Sequence, residues 1–186
     1  VVVPDDLVAL GAAHIPTPSV DGSTTAFLQY TSGTTGRPKG VVISHGAIVA
    51  NASAIATGLA IGADDVGVSW LPPFHDMGLV GALLTTLCHP YPLHVLPPER
   101  FIMRPRAWLD LMSTTGATLS PAPNFAYALC TTKAEPTPEL RLDRWRAALD
   151  GAEPVHAETL DAFAARFAPS GFRSDAFLPV YGLAEQ

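Results

Sequence analysis

Short apolar runs alternate with longer stretches of helical spacing along most of this chain. Residues 26–30 (AFLQY) and 41–43 (VVI) read as strands, because β-branched and aromatic residues cluster there between polar or glycine-rich punctuation. Ser44 then stands where a helix N-cap belongs, ahead of Ile48, Ala52, Ile55 and Leu59 on one face. Residues 66–70 read as a strand that Pro72 and Pro73 end, and 77–87 as an apolar, buried helix. The same alternation continues with a strand at 93–96, a helix from Pro105 to Met112, a strand at 117–120 and a short helix at 124–131. A strand at 146–149, an amphipathic helix carrying Leu160, Phe163, Ala164 and Phe167, and a last strand at 176–180 complete it. Repeated strand–helix units predict an α/β fold: a largely parallel sheet flanked by helices. No internal repeat of fixed period is present.

One segment breaks the pattern. Residues 30–40, YTSGTTGRPKG, carry no apolar side chain to bury beyond Tyr30. Thr31, Ser32, Gly33, Thr34, Thr35 and Gly36 offer hydroxyls and close-approaching N–H groups, and Lys39 adds a cation, which together suit a polyphosphate. Pro38 restricts Arg37 and delivers Lys39 at a constrained position. The segment lacks the Gly-Lys-Ser/Thr triplet of a Walker loop, which disfavours an ordinary P-loop ATPase. Tyr30, not Gly, stands two residues before Ser32, so a nucleophile elbow is also disfavoured.

Composition narrows the class. The 186 residues are 48% hydrophobic and only 15% charged, enough apolar content for a sizeable core. A net charge of −6 with no basic cluster speaks against a nucleic-acid partner. No apolar run is long enough for a membrane span, and no leader pattern opens the chain. Cys88 and Cys130 lack paired spacing, which fits reduced thiols and a cytoplasmic setting. His14, His45, His89, His94 and His156 show no metal-ligand spacing.

YTSGTTGRPKGV resembles the signature loop of the adenylate-forming superfamily, which includes acyl-CoA synthetases, amino-acid adenylation domains and fatty acyl-AMP ligases. SWLPPFHDMGL at 69–79, the stretch at 104–127 ending in PNFAY, LDGAEP at 149–154 and YGLAE at 181–185 resemble the fatty acyl-AMP ligase branch. The resemblance covers roughly residues 24–186 and implies part of the large N-terminal domain of such an enzyme. Residues 1–23 read as a linker-like segment, and 24–186 as a partial AMP-binding domain without the C-terminal part and the small mobile domain.

The resemblance implies ATP and Mg²⁺ as cofactors, a fatty acid as substrate and an acyl carrier protein, fused or separate, as acceptor. Thr31 to Gly36 and Lys39 would hold phosphates, with Lys39 also counted as catalytic. Gly151, Ala152, Glu153 and Pro154 would line the adenine pocket, with Gly151 permitting close approach of a flat base and Pro154 suiting the start of the next helix. Tyr181 would stack on adenine, while Gly182, Leu183 and Ala184 continue the nucleotide wall. Ala184 stands where the wider superfamily usually has Thr. Glu185 would be the Mg²⁺ ligand. His75 would orient the reacting carboxylate or swing as a gate. Asp76 can serve the same carboxylate or cap the helix after it. Asn124, Phe125 and Tyr127 would border the acyl chain, with ordinary helix packing as the alternative.

Adenylation sites in this superfamily also use an Asp for the ribose and a Lys in the small domain, both expected beyond the residues given. The start at Val1 and stop at Gln186 read as an excerpt, and the isolated chain is expected to hold nucleotide weakly and not turn over. Two other readings stay open: an acyl-CoA synthetase or amino-acid adenylation domain, and a non-catalytic nucleotide-binding remnant. The polar loop and the turns at His75, Gly151 and Tyr181 all follow predicted strands, which places them in one composite site beyond the strand ends.

Overall fold

The computed structural model describes residues 18–31 and 39–183. Two sheets organise them. The larger has five parallel strands: β3 (Gly67–Ser69), β4 (Leu93–Val95), β5 (Leu119–Ala122), β6 (Ala147–Asp150) and β7 (Phe177–Pro179), in the order β4-β3-β5-β6-β7. The chain runs from β3 to β4 on one side and then to β5 on the other, so the order reverses between β3 and β5. In an open parallel sheet that reversal opens a crevice at the carboxyl ends, where ligands bind.

The smaller sheet corrects an expectation. β1 (Thr25–Thr31) and β2 (Lys39–Ser44) pair antiparallel with each other and stay out of the parallel sheet. Their register sets Thr31 opposite Lys39, so the polar segment joins the two strands of a hairpin. Phe27, Gln29, Thr31, Lys39 and Ile43 share one face by the strand period of two.

The helices mostly start where the sequence says they should. In α1 (His45–Gly58) the Ser44 hydroxyl accepts the Ala47 N–H at 3.1 Å, as expected of an N-cap. Just before β1, Asp21 accepts the Ser23 and Thr24 N–H groups in a tight turn, and the Gly22 carbonyl receives the Gly46 N–H at 2.8 Å. The remaining helices of the parallel unit are α4 (Pro98–Met103), α5 (Arg106–Thr115), α6 (Asn124–Lys133) and α7 (Ala157–Phe167). The pattern missed α4, although Pro98 in its first turn and Glu99 beside it are start signals.

The stretch expected as one buried helix at 77–87 is broken into three pieces. A short turn, α2 (Asp76–Gly78), runs into a π-helical segment, Leu79–Leu84, and then α3 (Thr85–Cys88). The Thr85 hydroxyl donates to the Val80 carbonyl five residues back, at 2.7 Å, which supports the wider turn. Most of these side chains are only half-buried, because Met77, Val80 and Gly81 face a cleft.

Aromatic rings run through the core. Trp70 stacks on Phe101 with centroids 3.9 Å apart, Trp108 meets Trp145 edge-on at 5.1 Å, and Tyr127 meets Phe163 at 5.2 Å. The polar atoms of these rings are largely bonded, as burial demands. Trp108 Nε1 donates to Ser120 Oγ at 2.9 Å, Trp145 Nε1 to the Ala147 carbonyl at 3.1 Å, and Tyr127 Oη to the Leu149 carbonyl at 3.2 Å.

Below the opposite ends of the strands, an ion pair between the buried Asp65 and the partly exposed Arg146 joins three elements. Asp65 accepts from Arg146 at 2.6 and 2.9 Å, from the Thr118 hydroxyl at 2.6 Å and from the Gly62 N–H at 2.9 Å. Burial alone would push the Asp65 carboxyl up, but the bonds from Arg146, Thr118 and Gly62 outweigh it and hold it at about 2. A depressed carboxyl stabilises the fold at pH above its unfolded value, and that stability disappears as pH falls through the folded value. The shift from 3.8 to about 2 therefore stabilises the fold at neutral pH, by less than its full value because solvent screens the exposed Arg146. Urea midpoints of wild type and Asp65→Asn should therefore lie well apart at neutral pH and converge between about pH 4 and 2. A gap that is constant with pH would show that the carboxylate charge is not what stabilises this corner.

Candidate active site

A cleft of about 880 Å³ lies across the carboxyl ends of the parallel strands. The hairpin supplies Gln29, Thr31 and Lys39 on one side, and the turn after β3 supplies His75, Asp76 and Met77. Pro121 and Leu149, from β5 and β6, border it below. Ala152, Val180, Tyr181, Gly182 and Leu183 border it from the turns after β6 and β7. The turns that the sequence grouped together thus share one cavity. Gln29 also reaches across to the turn: its Nε2 donates to the Phe74 carbonyl at 3.3 Å.

His75 is fixed by its own helix. Its Nδ1 accepts the Met77 N–H at 3.2 Å, which makes His75 the N-cap of α2. The bond needs Nδ1 unprotonated, so the proton of the neutral ring sits on Nε2, where it can be donated. Asp76 is therefore not the cap; it lies in the first turn, where a negative charge favours the helix start.

The turn after β6 is held tightly. Gly151 is buried, and a Cβ there would stand 2.5 Å from the Val180 carbonyl oxygen. The close approach that needs glycine here is to the neighbouring strand end, and Gly151 itself does not line the cleft. Ala152 follows in the left-handed region, with φ 69°. Pro154 does not open the next helix, since α7 begins at Ala157 with His156 as its N-cap. Glu153 and Pro154 are exposed and do not line the cleft.

Tyr181 is 83% exposed, which removes core packing as its explanation and leaves its ring face open beside the cleft. Asn124, Phe125 and Tyr127 are placed differently from the acyl-contact expectation, for none lines this cleft. Asn124 is buried at the start of α6 and donates from Nδ2 to Asp150 Oδ2 at 2.8 Å. Tyr127 is enclosed by Trp108, Trp145, Phe163 and Phe177. Phe125 is half-exposed, its ring edge-on to Trp70 at 6.0 Å. Ser32, Gly33, Thr34, Thr35, Gly36, Ala184 and Glu185 lie outside the described residues.

Two features of the site were not read from sequence. Ile43, Ile48, Ile55, Leu59 and Val80 give the cleft an apolar side between the hairpin, α1 and the π-helical segment. Ile48 and Ile55, seven residues apart on α1, carried that signal in their spacing. The second lies behind the cleft wall: Asp150, wholly buried at the end of β6 and not among the lining residues. Burial pushes its carboxyl above the ordinary range and the Glu153 charge adds to that, while the Asn124 bond and His156 oppose it. Its Oδ1 has no hydrogen-bond partner among the described residues. Also among the described residues, no cluster of three His, Cys, Asp or Glu side chains is arranged to hold a metal.

The family model for AMP-binding enzyme matches residues 3–186. The chain belongs to the AMP-binding enzyme family. A medium-chain-fatty-acid–[acyl-carrier-protein] ligase, JamA of Moorena producens, is 45% identical over 170 residues, covering 90% of this chain and 29% of that protein. The long-chain-fatty-acid–AMP ligase FadD32 of Mycolicibacterium smegmatis is 39% identical over 190 residues, covering 98% of this chain and 30% of that protein. The fold is likewise similar to the solved structure of a fatty acyl-adenylate ligase from L. pneumophila in complex with acyl adenylate and pyrophosphate. That similarity has a TM-score of 0.84 at 40% identity, over 90% of this chain and 30% of that one. The chain thus spans about 30% of the length of the relatives it matches. Within this AMP-binding family, the five-stranded parallel sheet with its helices is the architecture of the large N-terminal domain.

Proposed function

We propose that the protein carrying this chain is a fatty acyl-AMP ligase: it joins a fatty acid to AMP from ATP and hands the acyl group to an acyl carrier protein. The observation that carries this is the single cleft with two characters. Its lining joins Thr31, Lys39 and Tyr181 with the apolar side chains of α1 and the π-helical segment. A nucleotide needs the first and an aliphatic chain the second. Similarity to JamA and to FadD32 supports the same reading.

In this reading a carboxylate oxygen attacks the α-phosphorus of ATP, a bond to the bridging oxygen breaks, and pyrophosphate leaves. Two anions must approach, and unit charges at about 4 Å repel by roughly 4 kcal/mol at an effective dielectric near 20. Lys39, Thr31 and the polar segment between them offset that charge. His75, with its proton on Nε2, donates to the acid's carboxylate and orients it. The Tyr181 face takes the adenine, and Glu185 would hold Mg²⁺, whose positive charge would further neutralise the phosphates. In the whole protein, residues 24–186 form part of the adenylation domain, with the ribose contact and a small mobile domain supplied elsewhere. A cytoplasmic setting and a place at the loading step of a polyketide or peptide synthase fit this chemistry. Among the described residues no helix is long and apolar enough to cross a membrane.

An acyl-CoA synthetase is the second reading, favoured by a putative acyl-CoA synthetase of Caulobacter vibrioides that is 39% identical over 171 residues. The test is direct. The full-length protein, given ATP and fatty acids of graded length, should form acyl-adenylate and then a thioester on a phosphopantetheinylated carrier protein but not on coenzyme A. Thioester on coenzyme A would favour the second reading, and no adenylate with any fatty acid would overturn both.

A further inference from the structure

The turn after β6 and the start of α6 are stitched together twice. The buried stitch is Asn124 Nδ2 to Asp150 Oδ2, at 2.8 Å. The outer one is the Phe125 N–H to Glu153 Oε1, at 2.6 Å. The residue before α6 is Pro123, which has no side-chain acceptor, and the helix makes no side-chain cap bond of its own. Glu153, distant in sequence, supplies the missing acceptor to one of the orphan donors at the helix start. Between the stitches stands Ala152, the wall residue of the cleft, at φ 69°. A non-glycine residue stays in that region only where its surroundings over-determine it. On one side Gly151 is pressed against the Val180 carbonyl; on the other Glu153 is tied to α6.

We propose that Glu153 is a positioning residue: its carboxylate clamps the turn at 151–153 onto α6 and so holds Ala152 in the shape that borders the cleft beside Tyr181. This rests on the adenylate-forming function proposed above, because it is the nucleotide that meets this wall. Glu153 acts through Ala152 and does not touch the nucleotide, since it does not line the cleft and its Oε1 is already engaged by a backbone donor. A neutral acceptor in the same place would do the same work. That separates a clamp from a charge that contacts phosphate or metal.

Glu153 is exposed, so its variants should fold. The measurement is ATP–pyrophosphate exchange by the full-length protein, with ATP varied at saturating fatty acid and fatty acid varied at saturating ATP, comparing wild type, Glu153→Gln and Glu153→Ala, with thermal midpoints alongside. Glu153→Ala should raise KM for ATP about tenfold, with KM for the fatty acid within about twofold, as the loss of a cap that positions one wall predicts. Glu153→Gln, whose amide oxygen can still accept from the Phe125 N–H, should stay within about twofold of wild type. Equal losses in both variants would show that the charge itself contacts the nucleotide or its metal, and an unchanged Glu153→Ala would show that the wall does not need the clamp; either result overturns the proposal while leaving the proposed function standing. A wild type with no ATP-dependent exchange would instead sink the proposed function itself, and the clamp with it.

Discussion

Lys39→Ala should lower acyl-adenylate formation by about a hundredfold to a thousandfold while leaving the fold intact. The magnitude follows from removing one charge-assisted donor from a developing polyphosphate charge, an effect of about 3–4 kcal/mol in comparable sites. The structure says why the fold should not notice. Lys39 is exposed at the first position of β2, opposite Thr31, and its side of the hairpin faces the cleft. Its backbone, not its side chain, makes the strand. Single-turnover formation of acyl-AMP with the full-length variant measures the effect, and Lys133→Ala, at the exposed end of α6, is the control that should change nothing. Adenylation at the wild-type rate in Lys39→Ala would remove this lysine from the phosphate role.

Gly78→Ala should be among the most destabilising single substitutions near the site, by about 2–4 kcal/mol. A Cβ at Gly78 would stand 2.3 Å from the Pro72 carbonyl oxygen and 3.1 Å from Leu71 Cβ. The oxygen belongs to the backbone, so no rotamer relieves the clash. The Pro72–His75 turn must move, and His75, which caps this same turn, moves with it. Gly81, three residues on, is the contrast. There a Cβ would meet only Met77 Cγ at 3.8 Å, so Gly81→Ala should be neutral or stabilising by up to about 1 kcal/mol. Thermal melts of the two variants check both statements. A Gly78→Ala protein as stable as wild type would show that the turn yields, and that His75 is less tightly placed than its cap implies.

Much of the parallel unit was legible in sequence for a plain reason. β3, β5 and β6 are short apolar runs ended by proline, asparagine or glycine, and the α7 stripe of Leu160, Phe163 and Phe167 repeats at helical spacing. The hairpin was legible as two strands but not as a separate sheet. Its outward face carries Leu28, Tyr30 and Val42, each more than half exposed, so its pattern imitates a strand buried on both sides. The π-helical segment was invisible because hydrophobic spacing does not encode a five-residue bond step. Thr85 was the only hint.

The site divides the same way. The turns at His75, Ala152 and Tyr181 could be placed together because each follows a strand of one parallel sheet. Asn124, Phe125 and Tyr127 are neighbours in sequence, but α6 turns them in different directions: Asn124 toward Asp150, Tyr127 into the ring of core aromatics. The resemblance treats PNFAY as one patch, and the helix separates its members. The resemblance likewise puts Glu153 in the nucleotide wall along with the rest of its segment, while its partner, a backbone N–H 28 residues away, has no sequence signature at all.

The Asp65–Arg146 pair has a bearing on how the molecule reaches this form. Its two side chains lie 81 residues apart in the chain. Bringing such ends together from a flexible coil costs about 4 kcal/mol in closure entropy, more than a partly exposed ion pair returns. The pair therefore cannot seed the sheet. It is expected to close once β3, β5 and β6 have paired, as a latch on a non-local assembly; Asp65→Asn should then speed unfolding and leave the refolding rate unchanged.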